Sequence, residues 1–314
     1  MNDFVIIPDS SCDLTAELRE RFEIPDYLPG TLYFPDGHAE PADLDWKNMT
    51  PDEYFRSMRD RKTLYKTATP QMGTIVGTFE KYLKQGKDIL SISLSTALSA
   101  TYNDCVLAAK DLMEKYPGRK ILCVDSLRYS TSLALLVISA AQKKAEGLSL
   151  EEVAAFAEQE KHRIHQMGPM DDLFFLVKTG RISNFKAFFG SMVGLNLLAD
   201  FNETGLSEVM ARFKGKRDTL TATLEYIRRT AVEPETQIMF LAHSYREEWA
   251  KVLAEAVERE FHPNELIMNR VGMICGANIG PGFCAVFYKG EPISQGMQKE
   301  KAIMEEIAGN IKKK

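Results

Sequence analysis

Hydroxyl side chains are concentrated in three short segments in the first half of the sequence. The segments are Asp9-Ser10-Ser11, Thr67-Ala68-Thr69-Pro70 and the stretch from Ser95 to Thr101. Hydroxyls and the amides at the start of a helix can hydrogen-bond an anion without a cation, so this set favours a carboxylate as the ligand. Ser, Thr and Asp are also the usual residues of helix caps and turns. Both interpretations, a ligand site and simple capping, stay open at this point.

The motifs of common catalytic, nucleotide-binding and metal-binding sites are absent from the sequence. It contains no G-x-S-x-G, no G-x-x-x-x-G-K-[ST] and no G-x-G-x-x-G after a strand. These absences disfavour an α/β-hydrolase and a nucleotide-binding protein. The five cysteines form no C-x-x-C pair, and the five histidines lack zinc-ligand spacing. We therefore predict no catalytic residue, no metal and no cofactor.

Three histidines need separate interpretations. His162 and His165 are three residues apart, as in a solvated pair on one helix face. His243 ends a predicted strand, directly before Ser244. A histidine satisfied by loop contacts is the preferred interpretation of His243. The alternative is a phosphoryl carrier or an enzyme that uses this side chain.

Basic residues are clustered in the second half. Arg212 stands close to Lys214, Lys216 and Arg217, and Arg181 lies further upstream. A solvated strand end would explain the cluster, and a docking surface for a partner or a phosphate is the functional alternative. Arg181 and Arg212 are the first docking candidates, because a guanidinium can bind an oxyanion with two parallel hydrogen bonds.

Composition limits the range of functions. The net charge is −5 and the isoelectric point is near 5.7, which argues against a nucleic-acid-binding protein. The first residues carry an acid rather than the basic segment of a signal peptide. No apolar stretch approaches the ~20 residues that a bilayer span requires. We expect a cytoplasmic protein with no stable membrane insertion.

The hydrophobic pattern predicts strand–loop–helix units in the first half. Predicted strands at Phe4–Ile7, Ile89–Leu94 and Ile121–Val124 are each followed by a helix, which favours a parallel sheet with helices on both faces. The three hydroxyl segments, including the one with Thr67, are each predicted to follow a strand, and ligand loops of such a sheet gather at the carboxyl ends of its strands. The predicted fold class is α/β, with a parallel α/β/α domain over residues 1–166 and a mixed-sheet α/β domain with a C-terminal helix over residues 167–314.

The second half is patterned differently. We predict a strand at Leu173–Val177 and then a polar loop that leads to a Phe-rich helix. Leu195–Phe201 and Leu206–Phe213 flank a short turn, which is typical of a hairpin. A helix is predicted at Glu247–Phe261, between two further strands, and a last strand at Phe283–Tyr288.

Several segments together resemble the motifs of the DegV family, in order along nearly the whole chain. The matching segments are Asp9-Ser10-Ser11-Cys12-Asp13-Leu14, Lys66-Thr67-Ala68-Thr69-Pro70, Leu94 to Tyr102, Val124-Asp125-Ser126, Leu176 to Ser183, and Val271-Gly272 with Ile279 to Gly282.

The resemblance implies two α/β domains and a bound long-chain fatty acid. It implies that Thr67 and Ser99 hold the carboxylate, and that Ser95 and Thr96 of the same loop add contacts. Asn278 stands where the family has a histidine near the head group; asparagine can hydrogen-bond but cannot titrate.

The resemblance also implies a partner. The family's binding subunits present the fatty acid to a separate ATP-dependent kinase subunit, which phosphorylates its carboxylate, so no catalytic residue is expected in the chain itself. The family's arginines fall on Arg181 and Arg212. Alanines replace two family glycines at Ala97 and Ala100. Together with Asn278, these alanines leave open the alternative that the chain is a degenerate family member that acts as an interaction protein.

Overall fold

The computed structural model describes residues 3–171, 173–182 and 194–313 of the chain. The strands are β1 (Phe4–Pro8), β2 (Thr31–Tyr33), β3 (Ala39–Pro41), β4 (Lys66–Ala68), β5 (Asp88–Ser93), β6 (Ile121–Asp125), β7 (Ile164–Met167), β8 (Pro169–Met170), β9 (Leu195–Phe201), β10 (Ser207–Lys214), β11 (Ile238–Ser244), β12 (Glu265–Arg270) and β13 (Phe283–Lys289). The helices are α1 (Ala16–Arg21), α2 (Pro51–Ser57), α3 (Met72–Leu83), α4 (Thr101–Lys115), α5 (Thr131–Ala145), α6 (Leu150–Glu160), α7 (Phe174–Thr179), α8 (Lys216–Thr230), α9 (Glu247–Phe261), α10 (Met273–Ile279) and α11 (Gln298–Lys312).

The chain divides into two compact units, and each unit is assembled from three segments. The first unit is formed by Met1–Met49, Leu64–Lys161 and Gly272–Ala277, and the second by Thr50–Thr63, His162–Val271 and Asn278–Lys314. The sequence predicts two consecutive domains, 1–166 and 167–314, whereas these units interleave. The hydrophobic pattern marks where an element begins but not which core it joins.

The first unit contains the parallel sheet that the sequence predicts. Its strands lie in the order β1-β5-β6, and Pro8 pairs with Ile92 at the carboxyl end. Every residue of β1 and β5 is buried, as expected for strands of a parallel sheet that is covered on both faces. The core includes side chains from β1, β5, α3 and α4: Val5, Ile7, Ile75, Phe79, Ile89, Cys105 and Leu112. The α/β fold class is confirmed.

A second, smaller sheet in the first unit holds Thr67. Three strands of three residues each pair antiparallel in the order β3-β2-β4, and Thr67 lies opposite Leu32. The prediction that Thr67 follows a strand of the parallel sheet is therefore wrong. Strands this short carry too few residues for an alternation to be recognised.

The second unit is built on a mixed seven-stranded sheet. The order is β10-β9-β8-β13-β11-β12, and β7 also pairs with β13. β9 and β10 form the predicted hairpin, and α9 has the predicted bounds and connects the parallel strands β11 and β12. The core contains apolar residues of α8, α9 and α11 against the sheet: Ala222, Ile227, Leu241, Leu253, Val257, Val286, Met304 and Ile307.

Two further predictions fall around residue 180. The strand predicted at Leu173–Val177 is wrong, because Phe174–Thr179 form α7, which ends at Gly180 with a φ of 71°. Five consecutive apolar residues fit a buried strand and a short buried helix equally well. The Phe-rich helix predicted after it lies outside the described residues.

A buried polar network links β7, β9 and α8 in the second unit. Nδ1 of His165 lies 2.6 Å from Oδ2 of Asp200, and Nε2 lies 2.8 Å from the carbonyl oxygen of Glu291. The hydroxyl of Tyr226 donates to Asp200 over 2.8 Å. The carbonyl oxygen of Glu291 can only accept, so Nε2 of His165 donates to it, and Nδ1 forms a hydrogen bond with the Asp200 carboxyl group. The prediction that His165 is solvated is wrong, because it is 1% exposed.

Candidate functional site

The turn that follows β1 is the centre of the candidate site in the first unit. Asp9 to Asp13 are all buried, and Ser10–Cys12 form a single turn of 3-10 helix. Oδ1 of Asp9 accepts a hydrogen bond from the amide of Ser11 over 2.7 Å. This bond caps the turn, in the way that Asp caps a helix start. The turn therefore has a fixed shape at the carboxyl end of the parallel sheet.

The loop from Ser95 to Ser99 is attached to this turn through Asp9. Oδ2 of Asp9 accepts the amide of Leu94 over 2.7 Å, directly before the loop begins. The amide of Ser95 in turn donates to the carbonyl oxygen of Arg128 over 3.0 Å. The first hydroxyl segment thus fixes where the third one starts.

The segment that carries Thr67 is attached to the same turn through Ser10. The hydroxyl of Ser10 accepts the amide of Gly30 over 2.9 Å, and Gly30 directly precedes β2, the partner of β4. A Cβ at Gly30 would lie 3.0 Å from the carbonyl oxygen of Ala68, so only glycine fits here without a shift. Through β2, Ser10 therefore fixes the strand in which Thr67 stands.

The hydroxyls of the Ser95–Ser99 loop differ in how much they are engaged. Ser95 is fully buried and its hydroxyl accepts the amide of Ala97 over 3.3 Å. Thr96 is exposed, and its hydroxyl donates to Asp125 over 2.5 Å. Ser99 is half-buried; its hydroxyl lies 2.9 Å from that of Thr101 and accepts the amide of Thr101 over 3.3 Å. The Thr96 hydroxyl hydrogen is thus committed to a carboxylate, whereas Ser99 remains able to donate.

Two buried carboxyl groups at the ends of the turn have raised pKa values. Burial raises the pKa of Asp9, against the opposing effect of its bonds to the amides of Leu94 and Ser11. Burial raises the pKa of Asp13 to about 7, although the hydroxyl of Ser130 and the amide of Gly272 both donate to it. The titration of Asp13 therefore falls near neutral pH.

The other predicted site residues belong to the second unit. Asn278 is half-buried in α10. Arg181 is half-buried, and its guanidinium donates to the carbonyl oxygen of Thr179. Arg212 is exposed on β10 opposite Leu197, and it makes no ion pair within the described part of the chain. Thr67 and Ser99 are thus tied to one turn of the first unit, whereas Asn278, Arg181 and Arg212 are assigned to the second unit.

His243 lies at the end of β11, where the sequence places it. It is 3% exposed; its Nδ1 accepts the amide of Arg246 over 3.2 Å and its Nε2 lies 3.0 Å from the guanidinium of Arg270. Burial and the Arg270 charge lower its pKa to about 4, so the ring is neutral at pH 7. Both partners are donors and a neutral ring has one acceptor nitrogen, so His243 accepts a hydrogen bond from one of them. Its burial and its position beside the Arg270 charge favour the structural interpretation over a phosphoryl carrier.

Among the residues that the structure describes, no cluster of His, Cys, Asp or Glu could hold a metal ion. Within the same ranges, none of the helices has both the length and the apolar character needed to cross a bilayer.

Sequence reasoning missed the long-range hydrogen bonds of Asp9 and Ser10. The sequence shows Asp9 and Ser10 as members of one hydroxyl segment among three, at the end of a predicted strand. Their contacts to Leu94 and Gly30 join residues that are 85 and 20 positions apart. The crowding of polar residues directly after β1 was the available signal, but their partners were not readable from it.

Comparison with known proteins gives one consistent family. The model of the DegV family matches residues 3–291. A DegV domain-containing protein of Clostridium perfringens is 31% identical over 93% of this chain and 99% of its own length.

Solved structures give the same fold. One is a fatty-acid-binding DegV family protein of Thermus thermophilus, with a TM-score of 0.81 and 24% sequence identity. The match covers 91% of this chain and 99% of that protein's chain. The fatty acid kinase (Fak) B3 protein of Streptococcus pneumoniae, loaded with linoleic acid, has a TM-score of 0.77 and 20% identity, covering 92% and 100%.

Proposed function

Because the chain belongs to the DegV family, we propose that it binds a long-chain fatty acid and holds the carboxylate with the hydroxyls of Thr67 and Ser99. The observation that carries the proposal is the attachment of both hydroxyl segments to the Asp9–Ser10 turn at the carboxyl end of the parallel sheet. Ligands of parallel α/β sheets bind at that end. Solved relatives that hold fatty acids support the choice of ligand.

The energetics require both an apolar site and polar partners. Burial of an acyl chain of ~14 methylenes at about 0.8 kcal/mol each stabilises the complex by roughly 11 kcal/mol before association costs. A carboxylate that lost its water without new hydrogen bonds would cancel much of this gain. Thr67 and Ser99 supply these partners as hydroxyl donors. Ser95, Thr96 and Asn278 remain secondary candidates for these contacts.

The first experiment identifies the ligand. We expect protein purified from its host to release a long-chain fatty acid on denaturation, detected by mass spectrometry. Delipidated protein should then bind an added acid of the same length more tightly than its methyl ester, because only the acid presents a carboxylate. Absence of any extracted acid together with no uptake of added acid would refute the proposal.

The second experiment tests the two hydroxyls. Thr67→Val removes one hydroxyl with little change in shape, and Ser99→Ala removes the other. Each exchange should weaken binding of the acid by about tenfold or more, since a hydrogen bond to a charged group contributes about 1.5–3 kcal/mol. Binding of the methyl ester should change little. Thr221→Val, the same exchange at an exposed threonine of α8, is the matched control.

We further propose that the bound fatty acid is presented to an ATP-dependent kinase subunit, which forms the acyl phosphate, and that Arg181 and Arg212 contact this partner. The fatty acid kinase relative supports the partner, and the exposed guanidinium of Arg212 supports a docking role. Arg212→Ala should leave fatty acid binding unchanged and weaken kinase binding. Arg259→Ala, at an exposed position of α9, should change neither. Unchanged kinase affinity in an Arg181→Ala, Arg212→Ala variant would exclude these arginines from the docking surface.

A further inference from the structure

The two side chains Asp9 and Ser10 occupy an unusual position in the hydrogen-bond pattern of the first unit. They are adjacent in sequence and almost fully buried, with 2% exposure each. Each accepts one backbone amide from a different segment, Asp9 from Leu94 and Ser10 from Gly30. One of these amides precedes the Ser99 loop, and the other precedes the partner strand of Thr67.

The turn itself is held by hydrogen bonds that involve neither Leu94 nor Gly30. The amide of Ser10 donates to the carbonyl oxygen of Leu28 over 2.9 Å, and the amide of Leu28 donates to the carbonyl oxygen of Pro8 over 2.9 Å. The second carboxylate oxygen of Asp9 caps the turn at Ser11. These bonds hold the turn independently of Leu94 and Gly30, so each side chain is placed to position its partner segment.

We propose that Asp9 and Ser10 are positioning residues of the carboxylate site: Asp9 sets the place of Ser99 through Leu94, and Ser10 sets the place of Thr67 through Gly30 and β2. This inference rests on the proposed function, because it assigns Asp9 and Ser10 a role only if Thr67 and Ser99 hold a carboxylate. Neither residue is assigned a contact with the ligand.

The two attachments are separable, which makes the inference specific. Ser10 acts on the small antiparallel sheet, and Asp9 acts on the loop after β5. Ser10→Ala should therefore act through Thr67 alone, and Asp9→Asn should act through Ser99. In Asp9→Asn the side-chain amide replaces one acceptor oxygen with a donor, which faces the amide of Leu94 or Ser11 and cannot bind it.

The readout is the ratio of affinities for a long-chain acid and for its methyl ester. Loss of packing alone lowers both affinities, whereas misplacement of the carboxylate donors lowers the ratio. We expect each single variant to lower the ratio by about tenfold, the effect of one lost hydrogen bond to a charged group. Adding Ser10→Ala to Thr67→Val should not lower the ratio further, and adding Asp9→Asn to Ser99→Ala should not lower it further. Residues that act through one contact show this non-additivity.

The chain offers a matched control at the opposite end of the same sheet. Asp88 begins β5, is 1% exposed, and its Oδ1 accepts the amide of Lys120 over 3.0 Å. Asp88→Asn therefore removes a buried carboxylate that binds a backbone amide, but at the amino end of the strand. It should lower stability and leave the ratio unchanged.

Each outcome has one meaning. Equal loss of acid and ester affinity in Ser10→Ala and Asp9→Asn, or additive effects in the double variants, would overturn the positioning role while leaving the proposed function intact. A wild-type protein that shows no preference for the acid would refute the proposed function and this inference with it. If Asp9→Asn does not fold, Ser10→Ala decides alone, because it removes only one hydroxyl.

Discussion

Asp13 makes a pH-dependent contribution to stability that can be measured directly. Its carboxyl is fully buried, the hydroxyl of Ser130 donates to it, and its pKa lies at about 7 instead of 3.8. The folded protein therefore keeps this group protonated at pH values where the unfolded chain has released the proton. Such a group stabilises the folded state at low pH, and the stabilisation is lost as the pH rises toward the folded pKa.

The size of the effect follows from the two pKa values. Between pH 5 and about 7 the unfolded carboxyl is already ionised, while the folded one still binds its proton. With about 1.4 kcal/mol for each of these two pH units, the free energy of unfolding should fall by about 3 kcal/mol through this group alone. Above pH 8 the contribution of Asp13 should be constant.

The assay is urea unfolding at pH 5 and pH 8 for the wild type and for Asp13→Asn. Asn cannot titrate, and it accepts the left-handed backbone of this position, where φ is 55°. Between the two pH values, the free energy of unfolding of the wild type should therefore fall by about 3 kcal/mol more than that of the variant. Ser130→Ala removes a hydrogen bond that lowers the pKa of Asp13, so in this variant the fall in the free energy of unfolding should extend to higher pH. Parallel pH profiles for the wild type and Asp13→Asn would refute the reasoning.

Three further substitutions test other contacts. Gly272→Ala would place a Cβ 2.4 Å from Oδ1 of Asp13 and should lower the free energy of unfolding by about 1–3 kcal/mol; Gly73→Ala in α3, with open space around it, should not be destabilising. Asp200→Asn disrupts the buried hydrogen bonds that the carboxyl group makes with His165 and Tyr226, and chemical denaturation should show a free energy of unfolding lower by about 1–3 kcal/mol; an unchanged free energy would contradict a stabilising role of this network. Ser149→Ala removes the capping box of α6 and should cost about 1 kcal/mol, with faster amide exchange confined to the first turn.

The elements that the sequence predicted well have long and unambiguous patterns. β1, β5 and β6 are apolar runs ended by polar residues, and α9 has a clear apolar face and the predicted bounds. Short elements were harder to predict from the sequence. The three-residue strands around Thr67 were missed, and α7 was taken for a strand, because a run of apolar residues carries no period that separates the two.

The site was only partly readable for a similar reason. Thr67 and Ser99 emerged from motif resemblance, since hydroxyls in loops are otherwise indistinguishable from caps. The roles of Asp9 and Ser10 depend on bonds to residues far away in sequence, which no local pattern records. Likewise, the spacing of His162 and His165 does not indicate that His165 is buried and hydrogen-bonded to Asp200.

The interleaved segments bear on how the protein emerges from the ribosome. The first unit includes Gly272–Ala277, whose leading glycine contacts Asp13. Domains usually acquire their structure in the order of synthesis, but this one lacks a piece until nearly nine-tenths of the polypeptide has been translated. The nascent N-terminal portion must therefore wait, incompletely assembled, while most of the C-terminal portion is still being made.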